Sequence, residues 1–345
     1  MNDIAPQLRQ LNSADVIMLQ EEIQKKRTYF SWGMQTCNDV PFDTFMPLIS
    51  EGQLVIFCGA EGSGKTTWSL QMALTNALLF PGNVGYLSLE VDPYRIARRY
   101  AERKAGFTRF HLTDGFTDPN EEKTCVAAIE MALKEFMFSS LRIIPTVDNS
   151  TDIATIAQIC TDPSLKLLFI DNLAELTPDT VIRDEYSKYD YIVRYLLDIC
   201  KQTKTTIILL HHLAKPKAGE PLTINSVKGN NIVITKADIV VAIDKHKRPN
   251  PNWRHAPKDL NGHFVDTKTH KTFMATAPLL EVRQIEVFKD RDWDERGVKG
   301  YVELIQGKVT ALREQDLREK YTFFGQDNER YLETLQKLSL SPLYD

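Results

Sequence analysis

Residues 59–66 read GAEGSGKT, and the flanks of this octet decide how the rest of the chain is read. Before it stands LVIFC (54–58), a continuous apolar run of strand length. After it stands TWSLQMALTNALL (67–79), a helical pattern. The octet fits G-x-x-x-x-G-K-[ST] in the strand–loop–helix setting that this motif requires. Its glycines let the backbone curl until the N–H groups point inward at phosphate, and the helix N-terminus adds partial positive charge. Gly59, Ala60, Glu61, Gly62, Ser63, Gly64, Lys65, Thr66 and Thr67 are therefore the expected cradle for nucleotide phosphates. Lys65 is placed to reach the β- and γ-phosphates, and the Thr66 hydroxyl to ligate Mg²⁺.

Such a site needs a second carboxylate to organise the metal. LLFIDNL (167–173) supplies Asp171 at the end of an apolar strand, where it holds Mg²⁺ through water. Hydrolysis also needs a group that orients or deprotonates the attacking water. GYLSLEV (85–91) carries Glu90, directly after the P-loop helix. With that strand beside the P-loop strand, Glu90 is expected at the carboxyl edge near the γ-phosphate. A helix N-terminal glutamate stabilised by the dipole fits the same position, and position alone leaves both readings open.

Working outward, short apolar runs recur with helical stretches between them: Leu54–Cys58, Val84–Leu89, Leu141–Pro145, Leu167–Ile170, Thr206–Leu210 and Ile239–Ile243. That alternation predicts an α/β fold with a mostly parallel sheet covered by helices on both faces. Beyond residue 244 the style changes. Residues 245–275 are rich in Lys, Arg, His, Pro and Asn and read as a long loop or small hairpin insertion. Glu281–Lys289 and Val298–Ile305 alternate and predict an antiparallel strand pair. Residues 7–27, with Leu8, Leu11, Val16, Leu19 and Ile23, predict an amphipathic helix, and 28–50 an irregular lead-in. The division expected is 1–40 as helix and lead-in, 41–310 as the ATPase domain with its basic insertion, and 311–345 as a helix plus tail.

Of the 345 residues, 43% are hydrophobic and 26% charged, which is ordinary for a folded globular chain and excludes general disorder. Net charge is −4, so no whole-chain basic character points to nucleic acid. The charge is uneven, however: residues 201–275 hold 13 Lys and Arg against 5 Asp and Glu, a tract compatible with phosphate-backbone binding by one face. The five cysteines, Cys37, Cys58, Cys125, Cys160 and Cys200, are scattered without metal spacing, and a reduced compartment is the simplest reading. No signal peptide and no apolar run of membrane-spanning length is evident. A cytoplasmic protein with no membrane partner is expected.

In order, GAEGSGKT, YLSLEV, LLFIDNL, IILLHH and VFKDR resemble the RecA-like ATPase core of DnaB-type hexameric replicative helicases, over roughly residues 40–308. The resemblance implies a RecA-like P-loop NTPase fold that hydrolyses ATP with Mg²⁺. It implies Glu90 as catalytic base and Asp171 as the metal-holding acid. The family's polar γ-phosphate sensor, usually Gln, falls on His212, with His211 one step earlier. The family's loop for single-stranded DNA falls between Ala214 and Asp238, with Lys215, Lys228, Gly229 and Asn230 as candidate contacts. Its strand-end K-x-R, which reaches into the ATP site of the adjacent subunit, falls on Lys289 and Arg291. A homo-oligomer, expected as a hexameric ring on single-stranded DNA, follows from the same likeness.

Only about 50 residues precede the P-loop, too few for a primase-type domain, so the chain looks like a core-only member of plasmid or phage type. Two other readings compete with a translocating helicase. One is a RecA-like DNA-stimulated ATPase that acts as recombinase, loader or regulator without unwinding. The other is a small-molecule kinase, which needs a lid with paired arginines that the pattern does not offer.

Overall fold

The computed structural model describes residues 28–33, 35–36, 46–105, 118–144, 151–213, 223–227, 230–249, 264–265, 272–273, 276–291, 299–305 and 308–312. The helix expected over 7–27 and the segment 313–345 lie outside them. A ten-stranded sheet carries the architecture. Its strands in chain order are β1 (Gln35–Thr36), β2 (Leu54–Gly59), β3 (Val84–Ser88), β4 (Arg142–Ile144) and β5 (Leu167–Asp171). They continue as β6 (Thr206–His212), β7 (Ile239–Pro249), β8 (Thr276–Asp290), β9 (Lys299–Ile305) and β10 (Lys308–Leu312). The spatial order is β1-β10-β9-β8-β7-β2-β6-β5-β3-β4. From β7 to β4 all neighbours are parallel. From β7 through β10 the pairs are antiparallel, and β1 closes the edge parallel to β10.

Helices cover both faces, as continuous apolar strands demand. The P-loop strand shows the division. Leu54, Ile56 and Cys58 enter one buried cluster, and Val55 and Phe57 enter the other. The first cluster takes α4 (Ile153–Cys160), α5 (Glu185–Thr203) and α6 (Asn230–Lys236). The second takes α1 (Lys65–Leu79), together with Ile96 of α2 (Pro93–Lys104) and Phe136 of α3 (Pro119–Phe138).

Four expectations need correction. The strand leading to Glu90 is not beside the P-loop strand, because β6 and β5 stand between β2 and β3. Strand order follows how the crossovers wind, not adjacency in the chain. Residues 245–249 are not loop; they extend β7 and pair with β8 out to Pro249↔Thr276, while among the described residues of the insertion 264–265 pairs antiparallel with 272–273, as in a small hairpin. The antiparallel pair gains a third strand, β10, whose last residues, 311–312, fall where a helix was expected. The lead-in is not wholly irregular, since Tyr29–Phe30 pairs with Ile49–Ser50 and β1 joins the main sheet.

The lead-in is tied down by side chains of α1. Trp68 packs edge-on against Phe57 with ring centroids 5.0 Å apart, and its indole N–H donates to the Trp32 carbonyl at 2.9 Å. Gln71 donates to the carbonyls of Gly33 and Val309 and accepts from the Val309 N–H. Asn76, fully buried, accepts from the Ser31 N–H at 2.9 Å and donates to the Ser31 carbonyl at 2.7 Å. Replacing Asn76 by Ala removes both of these bonds to the Ser31 backbone. We expect Asn76→Ala to cost about 2–4 kcal/mol, read as a lower urea midpoint at unchanged m-value.

Candidate active site

Parallel strands deliver their carboxyl ends to one edge of the sheet, so residues far apart in sequence meet there. Gly59 ends β2, Ser88 ends β3, Asp171 ends β5 and His212 ends β6. The cradle leaves from Gly59. The Ser63 N–H donates to the Ala60 carbonyl at 3.1 Å and tightens the turn. Gly64 precedes α1 at φ 99°, a left-handed conformation, and a Cβ there would come within 2.6 Å of Leu304 on β9. A Cβ on Gly59 would come within 2.6 Å of both Lys65 Cγ and Ser63 Oγ. No side chain caps the start of α1, so its first-turn N–H groups are the donors a phosphate would take. Glu61 and Gly62 stand exposed at the tip, and Thr66 and Thr67 are half-buried on the first turn.

Lys65 is buried and folds back on its own loop, donating from Nζ to the carbonyls of Gly59 at 2.6 Å and Ala60 at 3.1 Å. Burial lowers its pKa from the ordinary lysine range, against an opposing pull from the Asp171 carboxylate. Thr66 Oγ1 donates to Asp171 Oδ2 at 2.8 Å. The same carboxylate oxygen accepts from the Tyr86 hydroxyl at 3.2 Å, which lies 2.9 Å from Ser69 Oγ. Burial pushes the Asp171 pKa up to about 6, while the Thr66 hydrogen bond draws it down and the nearby Glu90 charge draws it up. A hydroxyl and a carboxylate in contact form a hard oxygen pair, the donor type that Mg²⁺ takes.

Glu90 reaches this edge by the backbone. The N–H groups of Leu89 and Glu90 donate to the Asp171 carbonyl at 2.7 and 3.3 Å. Its side chain accepts from Asn172 Nδ2 at 2.8 Å. Asn172 Nδ2 also lies 3.1 Å from His212 Nε2, and His212 Nδ1 lies 3.4 Å from Lys65 Nζ. Glu90, Asn172, His212 and Lys65 thus form one arc around the mouth of the cradle. The two histidines separate by strand alternation. His212 faces the arc, whereas His211 is fully buried and packs edge-on against Tyr189 at 5.4 Å.

Lys289 and Arg291 do not join this arc. Lys289 Nζ donates to the carbonyls of Ile234, Thr235 and Ala237, at the C-terminal end of α6. Arg291 donates to the Lys236 and Ala237 carbonyls and pairs with Asp238 at 2.7 Å. Asp238 in turn accepts from the Leu54 N–H at 2.9 Å. The two cations therefore lie at the amino edge of β2, a strand length from Gly59. At about 3.3 Å per residue that is roughly 16 Å, beyond the reach of either side chain. Asn230 begins α6. Lys215, Lys228 and Gly229 lie outside the described residues.

Three further residues enter the site that motif reading passes over. Asn172 stands inside LLFIDNL and Tyr86 inside GYLSLEV, so both are in view without a role. Arg283, buried on β8, donates from Nε to the Ser63 carbonyl at 2.6 Å and braces the cradle from the antiparallel side. Its signal is a charge in phase with the apolar Ile285 and Val287. Among the described residues no cluster of three or more His, Cys, Asp or Glu forms a metal site, and no helix is long and apolar enough to cross a membrane.

The model of the AAA domain family matches residues 34–218, just over half of the chain. Among curated proteins, the Gene 65 protein of Mycobacterium phage L5 is 22% identical over 185 residues, which are 52% of this chain and 66% of that protein. The probable plasmid replicative DNA helicase of Chlamydia muridarum (strain MoPn / Nigg) is 24% identical over 212 residues, 59% of this chain and 45% of that protein. The matches thus span less than two thirds of either relative. Among solved structures, an isolated ATPase domain superposes with a TM-score of 0.63 at 14% identity, covering 87% of this chain and 98% of that one. A DnaB-like replicative helicase, solved for its interactions with primase, gives 0.60 at 14% identity, covering 88% and 68%. At such identity the likeness shows the fold, which is that of a DnaB-type RecA-like core.

The Asp171 carboxyl gives a pH dependence of defined sign. In metal-free protein it keeps its proton up to about pH 6, whereas the unfolded chain loses it near 3.8. The native state therefore binds more protons in that window, and stability falls as pH rises through it. We expect Asp171→Asn to remove a decline of roughly 2–3 kcal/mol between pH 4 and 7, measured by urea unfolding with chelator present.

Proposed function

The chain belongs to the AAA domain family, and from that premise we propose that it is a ring-forming ATPase that hydrolyses ATP where two copies meet and moves along single-stranded DNA. The ATP phosphates seat on the Gly59–Thr67 cradle, with Lys65 leaving the carbonyls of Gly59 and Ala60 for the β- and γ-phosphates. Thr66 and Asp171 would hold Mg²⁺, which supplies charge neutralisation at the phosphates when bound. Glu90 accepts the proton of the attacking water as its oxygen bonds to the γ-phosphorus and the bond to the bridging oxygen breaks, leaving ADP and phosphate. His212, at the end of the strand that leads into the 214–229 segment, senses the γ-phosphate. Lys215, Lys228, Gly229 and Asn230 contact the phosphate backbone of the strand.

One observation carries this reading: Lys65, Thr66, Glu90, Asp171 and His212 converge at the carboxyl edge, while Lys289 and Arg291 sit at the amino edge of the same sheet. If those cations complete a nucleotide site, the site belongs to another copy. Such a contact joins two different surfaces, and repeated contacts of that kind close into rings when the rotation allows. A cation supplied across the seam stabilises charge on the transferred phosphoryl group by about 10³-fold or more in rate.

Mixing tests the seam. We expect Lys65→Ala and Arg291→Ala each to lose nearly all ATP hydrolysis, and their mixture to regain part of it, because one copy keeps the cradle and the other keeps the cation. Mixtures that assemble, by mass, yet stay inactive would overturn the shared site. Strand displacement on a forked duplex tests the motor. Hydrolysis stimulated by single-stranded DNA without displacement would instead favour a recombinase, loader or regulator.

A further inference from the structure

Asn172 is buried to 1% exposure between two groups that open toward the cradle, the Glu90 carboxylate and the His212 imidazole. Which way its amide points is settled by a third partner. The Ala174 N–H can only donate, and it lies 2.8 Å from Asn172 Oδ1 at the start of the short helix Leu173–Glu175. The oxygen is therefore committed there. The amide nitrogen, with its two hydrogens, faces Glu90 Oε2 at 2.8 Å and His212 Nε2 at 3.1 Å. Two donors meet two acceptors, so each hydrogen has one assigned partner.

That assignment fixes the histidine. An Nε2 that accepts from Asn172 carries no proton, so the neutral ring must hold its proton on Nδ1. Nδ1 lies 3.4 Å from Lys65 Nζ. At 3.4 Å this contact is longer than the 3.1 Å contact with Asn172, so the Asn172 side sets the tautomer; a protonated Nδ1 and an ammonium are both donors and make no hydrogen bond with each other. They do make a matched pair for an anion that enters between them, such as the terminal phosphate of a nucleotide. The same residue holds the Glu90 carboxylate, while the carbonyl before it, on Asp171, accepts from the Leu89 and Glu90 N–H groups. The dipeptide Asp171–Asn172 thus aligns both groups on which water attack depends.

We infer that Asn172 is a positioning residue: its amide holds Glu90 in line and imposes on His212 the tautomer that presents Nδ1–H to the terminal phosphate. The inference rests on the hydrolysis reading above, with Glu90 as base. It assigns Asn172 its main part in turnover and only a small one, through the single His212 Nδ1–H contact, in nucleotide affinity.

The test uses the full chain and two substitutions. Asn172→Ser keeps an acceptor for the Ala174 N–H but cannot span to Glu90 and His212. Asn172→Asp keeps the acceptor and the volume but loses both donors. We expect kcat for ATP hydrolysis to fall about tenfold or more in each, with affinity for a fluorescent ATP analogue within about threefold of the parent. Nitrogen NMR of labelled histidine, assigned by His212→Gln, should show the proton on Nδ1 in the parent and a mixture of tautomers in Asn172→Ser. A kcat for Asn172→Ser within about twofold of the parent overturns the inference, as does a parent His212 protonated on Nε2. The Ser variant decides if the Asp variant does not fold. Glu90→Gln, run alongside, separates the two levels. If it turns over like the parent, the hydrolysis reading fails. If it is inactive while Asn172→Ser is normal, only the positioning role fails.

Discussion

Everything at the carboxyl edge turns on a lysine and an aspartate kept together out of water. Lys65 and Asp171 are both nearly inaccessible, and burial moves each toward its neutral form. Neutralisation is resisted locally by hydrogen bonds. The Lys65 ammonium is satisfied by carbonyls of its own loop, and the Asp171 carboxylate by the hydroxyls of Thr66 and Tyr86. Each of these partners is one that a bound phosphate or a hard cation can replace, so the pocket is arranged in advance for the groups it would receive.

Such an arrangement is stable only if the loop cannot relax. Leu304 and Ile243 crowd Gly64 and Gly59, Arg283 holds the Ser63 carbonyl, and Tyr86 with Ser69 fixes the carboxylate from beneath. The antiparallel strands β8 and β9 therefore do more than extend the sheet. They form a wall against which the cradle is pressed. The same strand β8 runs on to the opposite edge, where Lys289 and Arg291 close the C-terminus of α6 with charge that suits a helix end. One strand thus links the phosphate cradle to the cations read as serving another copy's cradle, and to the helix that follows the segment read as gripping DNA.

Periodicity serves well where burial is uniform and poorly where it is shared. The runs around Leu54, Val84, Leu167 and Thr206 are buried on both faces, and each is a strand at the expected place. Residues 245–249 (KHKRP) are polar by composition and 308–312 (KVTAL) are too short to show a period, yet both are strands, because an antiparallel ladder needs backbone partners more than apolar side chains. The place of the Glu90 strand departs from expectation for a different reason. Apolar runs say which segments are strands but not which neighbour each will choose, and two later strands come between β2 and β3.

What the sequence determined alone was local: the P-loop, the carboxylate after an apolar run, and the alternation that makes a covered parallel sheet. These follow from spacing along a few residues, where sterics and burial act without reference to distant chain. What only the tertiary structure decided was relation: that His212 and not His211 faces the cradle, that Asn172 joins it to Glu90, and that Lys289 and Arg291 stand a strand length away. Those depend on strand order, alternation and hydrogen-bond direction. They are set when segments far apart in the chain are brought to one edge, and no spacing within a motif encodes them.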